Sequence, residues 1–402
     1  MRNRHAASCV ADESIDWHTH RTNSLFEWSD VSAAALLERG GVSSVKPCFA
    51  PAYHRLTDSL TEEARLTPAG LAVTRRRLVF SLANQLAVRE LIENRQVDPE
   101  LHGGDAVFVL GLPGTGLRRL QRLLFEHSAL NIPSLREILS PAGDWRPWLP
   151  ESLMEDPFEQ ALLSRLSGGG FRGAELGAPH GDHLLLTYAF HTPSASLEYR
   201  IPGYSDWLQE QDATVAYQFH RYALAAILER VGGGTPLLVN EFHSMQLPAL
   251  LRAYPTARLI RVHRDPLESL SHVAGLSTMR RLAWSRWVDP REVAAEWARR
   301  LGTVLATPEW HTEAPGGAAV LDITHEELTE TPLLTVRRIC EFLQVPLTSG
   351  IERRILEQDE RLPGGDCECV AREHYPTGEV KLPEIFRELR DVYCRQWGVP
   401  AA

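Results

Sequence analysis

An apolar run that turns through closely spaced glycines and resumes as a helix leaves a chain few ways to fold. Residues 107–120 read Val-Phe-Val-Leu-Gly-Leu-Pro-Gly-Thr-Gly-Leu-Arg-Arg-Leu. The first four have the character of a buried strand, and Leu117, Leu120, Leu123, Leu124 and Phe125 recur at helical spacing. Gly111, Gly114 and Gly116 allow the backbone N–H groups between strand and helix to converge. A helix start adds the positive end of its dipole, so the combination is a recipe for holding a phosphate or sulfate. No Lys-Ser/Thr pair follows Gly116, which separates the loop from the nucleoside-triphosphatase type.

The rest of the chain supplies what such a loop needs around it. Short apolar runs at residues 236–239, 257–262 and 318–323 read as further buried strands. Between them, residues 214–229, 248–253, 290–305 and 331–343 read as helices, and 382–397 closes the chain as another. Strands alternating with helices predict an α/β fold with a parallel four- to five-stranded sheet. Ahead of the first strand, the patterns at 31–39, with Asp30 as its cap, 56–64 and 68–96 predict extra N-terminal helices laid on the core. The expected division is residues 1–104 as that extension and 105–402 as the α/β domain. Residues 133–150, rich in proline and tryptophan, and the glycines at 168–173 read as loops; residues 184–190 read as a short helix.

Charge narrows the function classes. The net charge is −10 and no basic tail is present, so nucleic acid is not an expected partner. No run of about 18 apolar residues occurs and residues 1–17 lack the apolar core of a secretory signal, so no membrane partner is expected either, and a cytoplasmic location is. Lys46 and Lys381 are the only lysines, so any anion clamp must be built from arginine, a planar fork rather than a point charge. The six cysteines are scattered and read as free thiols; Cys367-x-Cys369 lacks a second ligand pair at metal spacing, and no metal is expected.

Three blocks together resemble the sulfotransferase family that uses 3′-phosphoadenosine 5′-phosphosulfate (PAPS). The nearest likeness is to a bacterial branch whose loop reads Gly-Leu-Pro-Arg-Thr-Gly-Thr-Thr. The blocks are residues 111–116 after a strand, residues 254–266 ending in His263-Arg264-Asp265-Pro266, and residues 320–346 with Glu326-Glu327-Leu328. The resemblance runs from about residue 60 to the C-terminus. It implies a P-loop-like sulfotransferase fold. It also implies sulfonyl transfer to a hydroxyl or amine of a small-molecule metabolite, and a place in natural-product biosynthesis, where the branch is common.

Carried over residue by residue, the likeness puts Gly111, Gly114, Thr115, Gly116 and Leu117 in the cofactor cradle. Arg264 stands at the 3′-phosphate position, and His272, with Ser271 beside it, at a phosphate-contacting serine. His243 stands where the branch has its general base, and Glu241 two residues earlier is a second base or an orienting group. The departures all fall on cofactor contacts. Gly114 replaces a basic residue, Leu117 and Arg118 replace two hydroxyl residues, Val239 replaces a lysine and His272 replaces the serine. Arg118 or Arg119, in the helix first turn, is the expected substitute cation. The pattern also fits a repurposed fold that acts on an already sulfated or phosphorylated intermediate by displacement or cyclisation, or a partner subunit of a related enzyme. His180, His183 and His191, around Asp182, read as pocket lining or an ordinary loop ahead of a metal site; the sequence leaves open a homo- or hetero-oligomer.

Overall fold

The computed structural model describes residues 26–39, 49–98, 105–125, 127–143, 176–232, 234–361 and 382–400. Five parallel strands form one sheet: β1 (Val107–Gly111), β2 (Leu130–Asn131), β3 (Thr235–Val239), β4 (Arg258–His263) and β5 (Val320–Thr324), in the order β2-β3-β1-β4-β5. The register aligns Phe108 with Leu238 on one side and with Leu259 on the other, and Ile260 with Leu321. Because side chains alternate across a strand, β1 feeds two cores. Phe108 and Leu110 join Leu238 and Leu259 against the helices Thr214–Val231, Leu247–Ala253 and Pro290–Leu305. Val107 and Val109 join Leu237, Ile260 and Ile323 against Leu117–Phe125, Pro332–Leu343 and Ser349–Arg361. Burial on both faces is why these strands read as unbroken apolar runs rather than alternating ones.

A third core lies under the N-terminal helices Trp28–Arg39, Ala50–Glu62 and Pro68–Glu93. Leu56, Leu60, Leu78, Leu82 and Leu86 pack there with Tyr204 and Trp284. Thr67 caps the third helix, accepting from Gly70 N at 3.0 Å. A Cβ on Gly70 would stand 2.3 Å from the Trp284 carbonyl oxygen, so glycine there sets how closely this helix meets the helix Pro266–Trp284. Asp30 sits inside the first turn of the first helix, which begins three residues earlier than the pattern predicts, so it is not the cap.

Several elements go beyond the sequence reading. The strand β2 is two residues long, too short for a pattern to register. Residues 135–139 form a short helix inside the expected loop, held by a capping box in which Ser134 accepts from Glu137 N and the Glu137 carboxylate accepts from Ser134 N. The helices Pro266–Trp284 and Ser349–Arg361 are further additions; the first buries its own His272, Arg280 and Arg281 beside apolar residues, and the second buries only Ile351 and Ile355. Cys340 and Cys394 are free and buried. Residues 1–25, Gly40, Gly41, Trp145, Trp148, the glycines at 168–173 and the Cys367/Cys369 pair lie outside the described residues. No helix among those described is long and apolar enough to cross a membrane.

The sheet edge toward β5 is fastened by charge. Arg261, fully buried in β4, donates through Nε and Nη2 to both oxygens of Asp322 in β5, at 2.7 and 2.9 Å. Its Nη1 donates to the Trp310 and Thr312 carbonyls at 2.8 and 3.0 Å. His263 Nε2 donates to Asp322 Oδ1 at 2.7 Å, and its ring stacks on Trp397 with centroids 4.3 Å apart. Burial alone would raise the Asp322 carboxyl, but His263 and Arg261 hold it below the usual carboxylate range. Removing one member of such a pair leaves the other charged and buried, at about 3 to 5 kcal/mol. Asp322→Ala is therefore expected to lower stability by about 3 kcal/mol in a urea titration; a loss under about 1 kcal/mol contradicts this account of the edge.

Candidate functional site

The glycine loop closes on itself before it meets any ligand. Thr115, fully buried, donates its hydroxyl proton to the Leu112 carbonyl at 2.9 Å. A Cβ on Gly111 would lie 2.4 Å from Thr115 Oγ1 and 2.7 Å from the Val262 carbonyl, so only glycine lets β1 pass so near β4. Gly114 and Gly116 take φ of 81° and 92°, the left-handed region that glycine enters without strain. His325 Nδ1 donates to the Thr115 carbonyl at 3.1 Å and holds the loop from the β5 side. Leu117 contributes its backbone to the helix start while its side chain joins the core beneath the sheet.

Two of the departures seen in the sequence prove to be neighbours. A Cβ on Gly114 would lie 2.7 Å from Cγ of His272 and 2.9 Å from its Cβ. The histidine standing for a serine thus fills the space beside the glycine standing for a basic residue. Arg264 joins the same arrangement: its Nη1 donates to the Gly114 carbonyl and its Nε to Glu268 Oε2 at 2.6 Å. Ser271 gives its hydroxyl proton to the Leu267 carbonyl at 2.9 Å, within its own helix. Arg264 and Ser271 are thus engaged with the protein itself. Arg119 points away from the loop and pairs with Asp359 on the helix Ser349–Arg361.

Arg118 is exposed at the helix start, and its charge reaches His180, His183 and Arg280. Arg280, on the helix Pro266–Trp284, is 8% exposed and donates from Nη1 to Glu198 Oε1 at 2.9 Å, while its Nε has no hydrogen-bond partner. Burial pushes this guanidinium below its ordinary value; Glu198 and Glu241 oppose the shift, and Arg118 and Arg77 add to it. Arg77 shares the Glu198 carboxylate, at 3.6 Å, and donates to the Tyr199 hydroxyl at 2.7 Å. Arg77 and Arg280 thus share one buried glutamate, and the charges of Arg118 and Glu241 reach Arg280.

The imidazoles divide into two sets. His243, read from the sequence as the base, is fully buried with both ring nitrogens engaged, Nδ1 with the Tyr217 hydroxyl at 2.9 Å and Nε2 with Asp182 Oδ2 at 2.9 Å. His220 mirrors it, Nδ1 on the Tyr254 hydroxyl at 2.7 Å and Nε2 on the same Asp182 oxygen at 2.8 Å. A carboxylate only accepts, so both histidines donate from Nε2 and take the tyrosine protons at Nδ1. Burial alone would raise the Asp182 carboxyl; the two imidazoles, His243 foremost, hold it far below the usual range. The ligand atoms of these three residues lie within 4.8 Å of one another, the donor set of a two-histidine, one-carboxylate metal centre. As arranged, an ion would have to displace both Nε2 protons.

The second set faces the loop. Residues 180–183 run past the carboxyl end of β3, where a Cβ on Gly181 would lie 3.0 Å from the Val239 carbonyl. His180 and His183 are half-buried, with ring centroids 5.3 Å apart. His180 Nδ1 donates to the Gly181 carbonyl at 2.8 Å, which leaves the Nε2 lone pair as the ring's only acceptor. Burial, helped by Arg118 and Arg280, pushes its pKa down to about 4, and His183 falls well below its ordinary value. Both are neutral imidazoles at pH 7. His191, the other histidine read as pocket lining, lies buried against Trp207, ring centroids 6.1 Å apart.

A model of the sulfotransferase family matches residues 106–349, more than half of the chain. The chain belongs to the sulfotransferase family. It is accordingly a transferase by family and fold. Among solved structures, the sulfotransferase STF9 from Mycobacterium avium superposes with a TM-score of 0.73 at 20% identity, over 95% of this chain and 99% of that one. The sulfotransferase STF1 from Mycobacterium tuberculosis gives 0.65 at 23% identity, over 87% and 99%. A search of the curated proteins gives no match. Sequence reasoning singled out the loop, Arg118 and the histidines around Asp182, all of which the structure describes. It did not foresee Arg280, whose helix had no legible pattern, nor Tyr217 and Asp182, which engage both ring nitrogens of His243.

The Gly114–His272 contact can be tested. Gly114→Ala meets both a left-handed backbone and the His272 ring, and is expected to cost about 1 to 3 kcal/mol. Gly114→Ala with His272→Ala is expected to recover the steric share of that loss. Equal losses in the single and double variants, by chemical denaturation, contradict the contact.

Proposed function

We propose that the chain transfers a sulfonyl group from PAPS to a hydroxyl or amine of a small-molecule metabolite, with Arg118 and Arg280 supplying the charge that the loop itself lacks. The observation that carries this reading is that the charges of Arg118 and Arg280 both act on His180 and His183, two half-buried imidazoles at the carboxyl end of β3, the strand beside β1. PAPS would supply an activated sulfonyl group with a phosphate leaving group. The residues fit its sulfate end. The backbone N–H groups at residues 111–116 and the helix start favour an anion, and the orphaned Nε of a buried Arg280 favours one more. Natural-product biosynthesis is the setting suggested by the family likeness.

In the reaction the acceptor oxygen or nitrogen forms the new bond to sulfur, and the sulfur–oxygen bond to the leaving phosphate breaks. His180 Nε2 takes the acceptor proton. A base of this kind contributes about 10²- to 10⁴-fold. Arg118, Arg280 and the loop N–H groups take up the charge that develops on the departing phosphate, and Glu241 and Glu198 hold Arg280 in place. Asp182, through His220 and His243, fixes the segment that carries His180. In this reading donor and base meet across the carboxyl ends of β1 and β3, where open α/β sheets bind their ligands.

A second reading has its own support. Arg264 and Ser271 bond internally and His272 fills the space beside Gly114, so the 3′-phosphate side is less well furnished than the sulfate side. That favours a repurposed site acting on a sulfated or phosphorylated intermediate by displacement or cyclisation. Titration calorimetry with PAPS and with its desulfonated product separates the two. The sulfotransferase reading expects both to bind, and Arg280→Met to weaken them roughly tenfold or more, as loss of a charged hydrogen bond implies. No binding of either compound overturns it.

A further inference from the structure

Away from the loop, behind the short helical turn Glu241–Met245, lies a cavity of about 180 Å³. The helices Pro202–Glu210, Leu247–Ala253 and Pro290–Leu305 wall it, with Leu208, Ala249 and Val304 as apolar lining. Arg300 lines it and also lines a smaller cavity beside it.

Arg300 is an unusual wall. It is 6% exposed, and its Nε and Nη1 have no hydrogen-bond partner. Only Nη2 is satisfied, by the Pro193 carbonyl at 3.3 Å. Glu296 approaches Nη1 no nearer than 3.7 Å, because its other oxygen accepts from Arg281 at 2.8 Å. Burial, with Arg281 adding its repulsion against Glu296, pushes the Arg300 guanidinium down to about 10. Across the same cavity Gln246, 9% exposed, presents an Oε1 that has no hydrogen-bond donor. Buried polar groups left unpaired cost about 1 to 3 kcal/mol each, and more when charged. Such groups persist where something outside the chain completes them.

We propose that this cavity binds a small organic acid that carries a hydroxyl or ammonium donor beside its carboxylate. The carboxylate meets Arg300, whose unpaired N–H groups and excess charge want an anion. The donor meets Gln246 Oε1, which wants a proton. A short branched chain fits the apolar lining, and the volume is many times the room a single water needs. Gln246 follows directly on the turn that carries Glu241 and His243, so the occupied site lies directly against the end of that turn. The proposal does not rest on the sulfotransferase reaction.

Calorimetry on the full chain tests it with 2-hydroxyisovalerate and L-valine as probes. Isovalerate, which lacks the donor, and 3-methyl-1,2-butanediol, which lacks the carboxylate, serve as controls. At least one probe is expected to bind saturably, and both controls roughly tenfold more weakly or not at all. Arg300→Met and Gln246→Glu are each expected to weaken the probe about tenfold or more. Thr303→Phe, at the mouth, leaves Arg300 in place and is expected to block binding, so the test survives even if Arg300→Met fails to fold by circular dichroism. Absence of binding by both probes overturns the proposal, as does unchanged binding in Thr303→Phe and Gln246→Glu. PAPS binding is unaffected by either result, so failure here and failure of the sulfotransferase reading are distinguishable.

Discussion

One carboxylate oxygen organises the site. Asp182 Oδ2 accepts from His220 and His243 at 2.8 and 2.9 Å, deep under β1, with Phe108 against the His243 ring at a centroid distance of 5.1 Å. Each hydrogen bond to a charged group contributes roughly 1.5 to 3 kcal/mol, and the low dielectric strengthens both. The consequence is positional. Asp182 stands between His180 and His183, so anchoring it holds those two imidazoles at the end of β3, beside the glycine loop. A histidine at the family's base position has turned inward to serve as an anchor, and a histidine on another segment has taken the accessible place.

The loop was legible because its constraints are local. Gly111 is required by a 2.4 Å approach to Thr115 Oγ1, and Gly114 and Gly116 by their left-handed backbone. Such requirements leave marks in the sequence itself. Strands buried on both faces were legible too, as short apolar runs, while a two-residue strand beside β3 was not. The helix Pro266–Trp284 escaped pattern reading because Arg280, Arg281 and His272 are buried in it, and buried charge erases the polar face that marks an amphipathic helix. The substitute charge for the loop was therefore sought in the adjacent Arg118 and Arg119. Arg119 is taken by Asp359, and the second arginine whose charge meets that of Arg118 is Arg280, far along the chain.

Departures from the family pattern at Gly114 and His272 look independent along the chain and are one contact in space. A missing side chain at the first position makes room for a larger one at the second. Arg264 then donates to the Gly114 carbonyl rather than projecting outward. A chain with two lysines and many arginines suits this rearrangement, since a guanidinium can satisfy a carbonyl and a carboxylate at once.

The claim that reaches furthest is that His180, not His243, removes the acceptor proton. The pH dependence of sulfonyl transfer tests it most directly. A base whose pKa is lowered toward about 4 is already deprotonated well below neutrality, so the acidic limb of the rate is expected to lie below the ordinary histidine value of 6.5. His180→Gln is expected to lose about 10²-fold or more in rate, with folding intact by circular dichroism. A His180→Gln enzyme that transfers at the wild-type rate, beside a folded but inactive His243→Gln enzyme, contradicts the account.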